Sequence, residues 1–378
     1  MNISFQKLFY IVASVIGLFT IVIVAREVLI PIAFAFLLAF ILYPVAKKLE
    51  SWGTSEIVSA LLSITGVFLI IGGAAYLFST QIIQLSENLS DFKEKILNLF
   101  ADATVFINKD IGFFPHLEKD ELLEKFKTWI TESSGALLSQ TFSSTANIVF
   151  GIISAIIYTF LILIYKKGIV RAMVSFYSPE NRERALKMFK NVQQVGQQYL
   201  FGMIIIVLIL GFMNSLGLWI IGIDSPFLFG FLAAVLAIIP YVGTFLGSSI
   251  PILYALISYD SIWMPISIAI YFWFVQFVEG NFLTPKIVGG NLKLNAFSSI
   301  LCIIVGASVW GVAGMILFLP FTAMLKVVCD EYTELQPFSM LIGERNYSNK
   351  DEDDHHIGKW ITKRRKRYSK FIPTFRKK

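Results

Sequence analysis

The chain has 378 residues, 56% hydrophobic and only 15% charged, with a formal net charge of +6. Its mean hydropathy of +0.70 excludes a soluble globular domain, where about a quarter of residues are charged. Two cysteines, Cys302 and Cys329, and three histidines, His116, His355 and His356, give neither a disulfide framework nor a structural zinc spacing.

Uncharged apolar runs at 8–25, 28–45 and 57–83 each approach or exceed the roughly 20 residues that cross a bilayer. The first resembles a signal peptide but has only Lys7 as a basic flank, and no small-x-small site precedes Arg26. It therefore reads as a retained span. Residues 1–83 form the N-terminal membrane spans. Residues 84–147 read as an extracytoplasmic amphipathic helical hairpin. Ile82, Leu85, Leu89, Phe92, Ile96, Leu99, Ala103 and Phe106 recur by threes and fours, and a second stripe runs from Leu122 to Leu137. This hairpin either packs on itself or meets a neighbouring subunit.

Residues 148–198 hold a fourth span, 148–165, and a basic loop with Lys166, Lys167, Arg171, Arg182, Arg184, Lys187 and Lys190. Ser178-Pro179-Glu180 predicts an N-cap, a proline in the first turn and a favourable acid. An amphipathic helix should follow and lead into the span at 199–223.

Residues 199–328 carry the most informative pattern. The uncharged runs 227–259 and 296–325 are too long to cross once and too short to cross twice. Their breakers lie near the middle: Pro240, Gly243 and Gly247 in the first, Gly306, Gly311 and Gly314 in the second. Bent backbone inside hydrocarbon is tolerated only where protein or water surrounds it. Paired interrupted segments in two halves mark a transporter site near the midplane. The pattern predicts two re-entrant hairpins around a span at 261–278, with 279–295 as an inner loop. Two kinked single spans are the alternative, and they would move Lys286 and Lys293 to the outside. The fold class is all-α: about six full spans plus two re-entrant or broken helical hairpins.

Residues 329–378 form a basic tail, with ten lysines and arginines and no acid from Lys359 onward. The positive-inside rule places it, the 166–190 loop and both termini in the cytoplasm. Beside a membrane anchor such a tail meets anionic lipid or stays solvated, and nucleic acid is not the expected partner.

Glu279, just after the uncharged run 261–278, is the acid with the most to explain. A carboxylate near hydrocarbon can take a proton or an alkali cation, or it can cap a helix or pair with Lys286. Gln276 and Asn281 can offer neutral oxygens to a cation or bond the backbone of a broken helix, which Pro285 should stop. Asn214, deep in its span, can bind a ligand or bridge helices. No phosphate-cradling glycine loop and no Ser/His/Asp or His/Glu constellation points to an enzyme. No cofactor is implied.

Ile239-Pro240-Tyr241-Val242-Gly243 with Gly247 and Pro251 is the first specific motif. The second is Gln276-Phe277-Val278-Glu279-Gly280-Asn281 with Pro285-Lys286-Ile287-Val288-Gly289. The third is Trp310-Gly311-Val312-Ala313-Gly314-Met315 with Pro320 and Lys326. Together, over about residues 8–330, they resemble the AI-2E family of bacterial membrane proteins, named for export of autoinducer-2. The resemblance implies a multispanning inner-membrane secondary transporter and a homo-oligomer. It would export a small molecule or exchange Na+ or H+; a passive channel and a membrane scaffold or sensor are the rival readings. Two positions depart from the family pattern: Thr244 stands where many relatives have proline, and Asn295-Ala296 where a His-Pro pair is common. Without that histidine, proton coupling would lean on Glu279.

Overall fold

A computed structural model describes residues 5–87, 148–289 and 294–344. The expected extracytoplasmic hairpin, beyond its first four residues, and the basic tail from 345 lie outside the described residues.

Helices α1 (Phe5–Val24), α2 (Arg26–Ser51), α3 (Glu56–Glu87) and α4 (Ile148–Ser175) make the N-terminal part. Helices α2, α3 and α4 meet through Ala39, Leu42, Ala46, Ala60 and Leu163. Ion pairs Lys166–Glu50 and Lys167–Glu56, the latter at 2.6 Å, join the C-terminal half of α4 to the end of α2 and the start of α3.

A 3₁₀ turn at Pro179–Asn181 opens α5 (Arg182–Ile221), one 40-residue helix. The amphipathic helix and the span expected after it are thus a single rod. Gly222 ends it at φ 92°, donating to Leu218 and Trp219 carbonyls while Ile223 also bonds Leu218. That is the left-handed stop for which glycine is suited.

Beyond α5 come α6 (Pro226–Leu236), α7 (Val242–Ser258) and α8 (Trp263–Val278). Helices α6 and α7 fold back on each other. A side chain at Gly243 would strike the Leu236 carbonyl, one at Gly247 would lie 2.9 Å from Ala233 Cα, and the Phe229 ring lies 4.9 Å from that of Tyr254. These antiparallel pairs define a hairpin whose tip is Tyr241.

The second hairpin lies within α9 (Ala296–Glu331), which breaks at Trp310 and Gly311 (φ 59°, ψ −135°). Gly306 and Gly314 meet backbone to backbone across it, and Cys302 Sγ lies 3.2 Å from Thr322 Oγ1. Both interrupted runs are therefore hairpins and not kinked rods. By length and composition six helices among the described residues could cross a membrane, α9 being counted with them although it folds back on itself. The fold is an all-α polytopic membrane protein.

The expectation that Pro285 stops a helix is corrected. After α8 the chain stays wound as π-helix through Glu279–Leu283 and Pro285–Gly289. Proline opens the second stretch, where its missing N–H withholds little from the helical ladder. The stretch from 279 to 289 is thus a continuation of the span and not a loop.

Short helix α10 (Gln336–Ile342) closes the foot of the second hairpin. Asn295 caps α9 by accepting from Ser298 N–H at 2.8 Å. Its amide donates to Leu341 and Gly343 carbonyls at 2.7 and 3.0 Å, and its backbone N–H to Ile342 at 3.0 Å. Ser339 and Lys326 both bond Asp330, so α10 links the start of the hairpin to its end.

Gly314→Ala should destabilise the protein by about 3 kcal/mol, because a methyl there enters backbone that cannot yield. Gly73→Ala, which meets nothing within 4 Å, should stay within about 1 kcal/mol of the parent. Thermal unfolding of the detergent-solubilised proteins compares the two.

Candidate functional site

Helix α5 sets the height of everything around it. Gly217 accommodates the Tyr271 ring and Gly202 the Ile287–Val288 pair, whose Val288 Cγ2 would lie 3.1 Å from an added methyl. Glu279 lies between those contacts, so its height corresponds to about residue 210 of α5 at 1.5 Å per residue. Gly196 receives Met324 and Phe40. Counting back along the hairpin from Met324 brings Gly311 to about residue 209 of α5 by the same rise. Helices α7 and α8 have 17 and 16 residues and leave the same short connection. Tyr241 and Glu279, at their far ends, therefore share a depth. The two hairpin tips and the carboxylate all lie near the middle of the uncharged part of α5.

A common apolar core joins them. Tyr199, Ile206 and Leu210 of α5 pack with Ala234 of the first hairpin, Val275 of α8 and Val288. Ala237, Leu283 and Leu319 border the same cluster, so both hairpins and the π-helical stretch reach it.

The half-buried Glu279 carboxylate is held at both oxygens. Thr284 Oγ1 donates to Oε1 at 2.6 Å, and Gln276 Nε2 donates to Oε2. Among the described residues, Glu279 and Lys286 form no ion pair. Asn281 points its amide back to the Phe277 carbonyl at 2.9 Å and is exposed. The π winding brings Thr284, five residues on, over the carboxylate, a placement that α-helical spacing does not anticipate.

Asn214 sits about one turn along α5 from that height. It is only 4% exposed, and its Oδ1 has no hydrogen-bond partner. Its neighbours are engaged: Tyr271 Oη donates to the Met213 carbonyl at 2.7 Å, and Ser215 Oγ to Gly211 at 2.6 Å. An unpaired buried carbonyl oxygen can accept a hydrogen bond from water or another donor, or ligate a cation. Gln276, Glu279 and Thr284 thus form one cluster. Asn214 stands apart from it, with no hydrogen bond to any of the three.

Pro240, Gly243 and Gly247 shape the first hairpin, Gly311 and Gly314 the second, and Pro285 starts the second π stretch. An apolar groove of about 720 Å³ between α2, α3 and α4, lined by Ile30, Phe34, Val67 and Phe150 among others, contains none of these residues. Apart from Arg26, Glu27 and Thr159 its walls are apolar, so the polar cluster is the better candidate site.

The description AI-2E family transporter matches residues 9–334 of this chain. The chain belongs to the AI-2E transporter family. YrrI of Bacillus subtilis is 27% identical over 325 residues, covering 83% of this chain and 89% of YrrI. YueF of the same organism is 28% identical over 310 residues, covering 78% and 82%. TqsA of Escherichia coli, named an AI-2 transport protein, is 22% identical over 330 residues, covering 85% and 91%. Family membership assigns the chain a role in transport across a membrane.

Asn214→Leu should keep or raise the thermal unfolding midpoint, because it removes a buried, unpaired oxygen whose burial costs about 1–3 kcal/mol. A clear fall would mean that the carboxamide bridges helices after all.

Proposed function

We propose that this AI-2E family protein is a secondary transporter of the bacterial inner membrane, with both termini cytoplasmic and its path between the two hairpin tips. It exports a small molecule or exchanges Na+ or H+, and Glu279 is the group that binds the coupling cation. The observation that carries this reading is the shared depth of Tyr241, Gly311 and Glu279. Two broken backbones and a carboxylate at one level inside an apolar bundle are costly unless water or an ion reaches them.

The donor set supports a hard monovalent cation. A carboxylate, a threonine hydroxyl and the Gln276 amide oxygen are all oxygen ligands, and Asn214 Oδ1 lies about a turn away along α5. Proton binding uses the same carboxylate: once protonated it donates a hydrogen bond where it now accepts two. Alternation between these states at a site reached from either side is the minimum an exchanger needs. The name of TqsA makes AI-2 the first exported molecule to test.

Proteoliposomes with imposed Na+ or proton gradients provide the measurement. Glu279→Gln keeps the shape and removes the charge. It should reach the membrane in normal amount and lose gradient-driven flux by roughly ten-fold or more, as expected for an intramembrane coupling acid. Glu180→Gln, in the exposed 3₁₀ turn before α5, should match the parent. Normal gradient-driven flux in Glu279→Gln would remove this residue from the mechanism, and flux indifferent to any gradient in the parent would make the protein a channel.

A further inference from the structure

Only two described residues other than glycine have left-handed backbone, Ser225 and Tyr241. Ser225 is at the foot of the first hairpin and Tyr241 at its tip. At φ 62° and ψ −54°, with Val242 N–H donating to the Pro240 carbonyl at 2.7 Å, Tyr241 is the centre of a γ-turn. That geometry is rare and strained for an L-residue. The surroundings enforce it. Gly243 N–H bonds the Ile239 carbonyl at 2.9 Å, while the Tyr241 carbonyl accepts from Phe245 N–H at 3.2 Å and Thr244 Oγ1 at 2.9 Å.

Glycine would adopt this turn without a side chain to strain, yet the position carries a phenol. Packing does not account for it, since Tyr241 is 66% exposed. Nor does a hydrogen bond, since its hydroxyl has no partner among the described residues. Tyrosine exposed at the ends of spans finds water in the interfacial belts. Tyr241 instead shares the depth of Glu279, near the middle of the uncharged part of α5, where lipid offers its hydroxyl nothing.

We propose that Tyr241 lines a water-filled approach to Glu279, with the strained turn holding the phenol in that approach at the hairpin tip. Thr244 then has a role: its hydroxyl fastens the carbonyl of the strained residue. The proposal rests on the path placed between the hairpin tips, but its test needs neither a substrate nor a gradient. A working Glu279→Gln would therefore leave it standing, and its failure would leave the coupling role of Glu279 open to the flux measurement.

The test uses Tyr241→Cys in a Cys302→Ala, Cys329→Ala background, in right-side-out and inverted vesicles. A membrane-impermeant thiol reagent reacts with thiolate, which forms in water. It should modify position 241 from at least one side roughly ten-fold faster than Ile205→Cys, because only a hydrated thiol ionises readily. Ile205 is an exposed α5 residue close in depth. Equal, slow modification at both positions would place Tyr241 against lipid and overturn the proposal. Tyr241→Gly adds a second reading. Its thermal unfolding midpoint should hold or rise as strain is released; a fall would show that the phenol is there for packing, and would overturn the proposal as well.

Discussion

The close approach of neighbouring elements to α5 is the contact on which the rest of the molecule depends. In a bilayer, lipid tails are as apolar as leucine, so helices associate through van der Waals packing at small residues. Gly196, Gly202, Gly211 and Gly217 each admit a different neighbour: Phe40 with Met324, Ile287 with Val288, Phe231, and Tyr271. One rod thereby fixes the first hairpin, the second hairpin, the π-helical stretch and α2 relative to one another. A methyl at any of these points pushes one element away from a common axis, and the alignment of the hairpin tips with Glu279 goes with it.

Around that axis the polar groups are arranged by depth. The ends carry exposed ion pairs such as Lys167–Glu56 and Arg184–Glu331, where solvent screens them and each contributes little. Among the described residues the middle carries few polar groups, hydrogen-bonded in small sets, with the buried Asn214 oxygen and the exposed Tyr241 hydroxyl left over. The hairpins supply what a straight helix cannot, namely backbone turns inside the bundle. One turn uses Gly311, which takes a positive φ without strain, and the other uses Tyr241, which does not. The asymmetry between two otherwise similar hairpins marks the first tip as the more specialised.

Much of this was legible in the sequence, because length is a hard constraint in a membrane. Uncharged runs of 33 and 30 residues with central breakers have few solutions, and the hairpins are the ones found. Gly243, Gly247 and Gly314, picked out as breakers whose lack of a side chain permits close contact, are where the arms touch. The depth of Glu279 was not legible. Pro285 suggests a helix end, and only the π winding, which brings Ile287 and Val288 against Gly202, carries the chain past it. The same winding hides Thr284, since a five-residue return has no α-helical signature. Asn295 was noticed as an unusual residue, but its partners lie 46 and 48 positions away, beyond any local pattern. Tyr241 sat in plain view within a motif; nothing in the letters reveals its backbone angles.

The Asn295 clamp also bears on how the protein is made. The carbonyls that satisfy its amide belong to Leu341 and Gly343, the latter 48 residues later in the chain. At roughly 5–20 residues per second, the ribosome needs about 2–10 s to supply them after Asn295 emerges. Both glycine-lined arms are complete only once Glu331 has been made, and for the last dozen residues before Gly343 they stand without closure at their foot. The insertion machinery therefore handles an unlocked element late in translation, and a chain cut between residues 331 and 343 would have both arms of the last hairpin without the carbonyls that lock its foot.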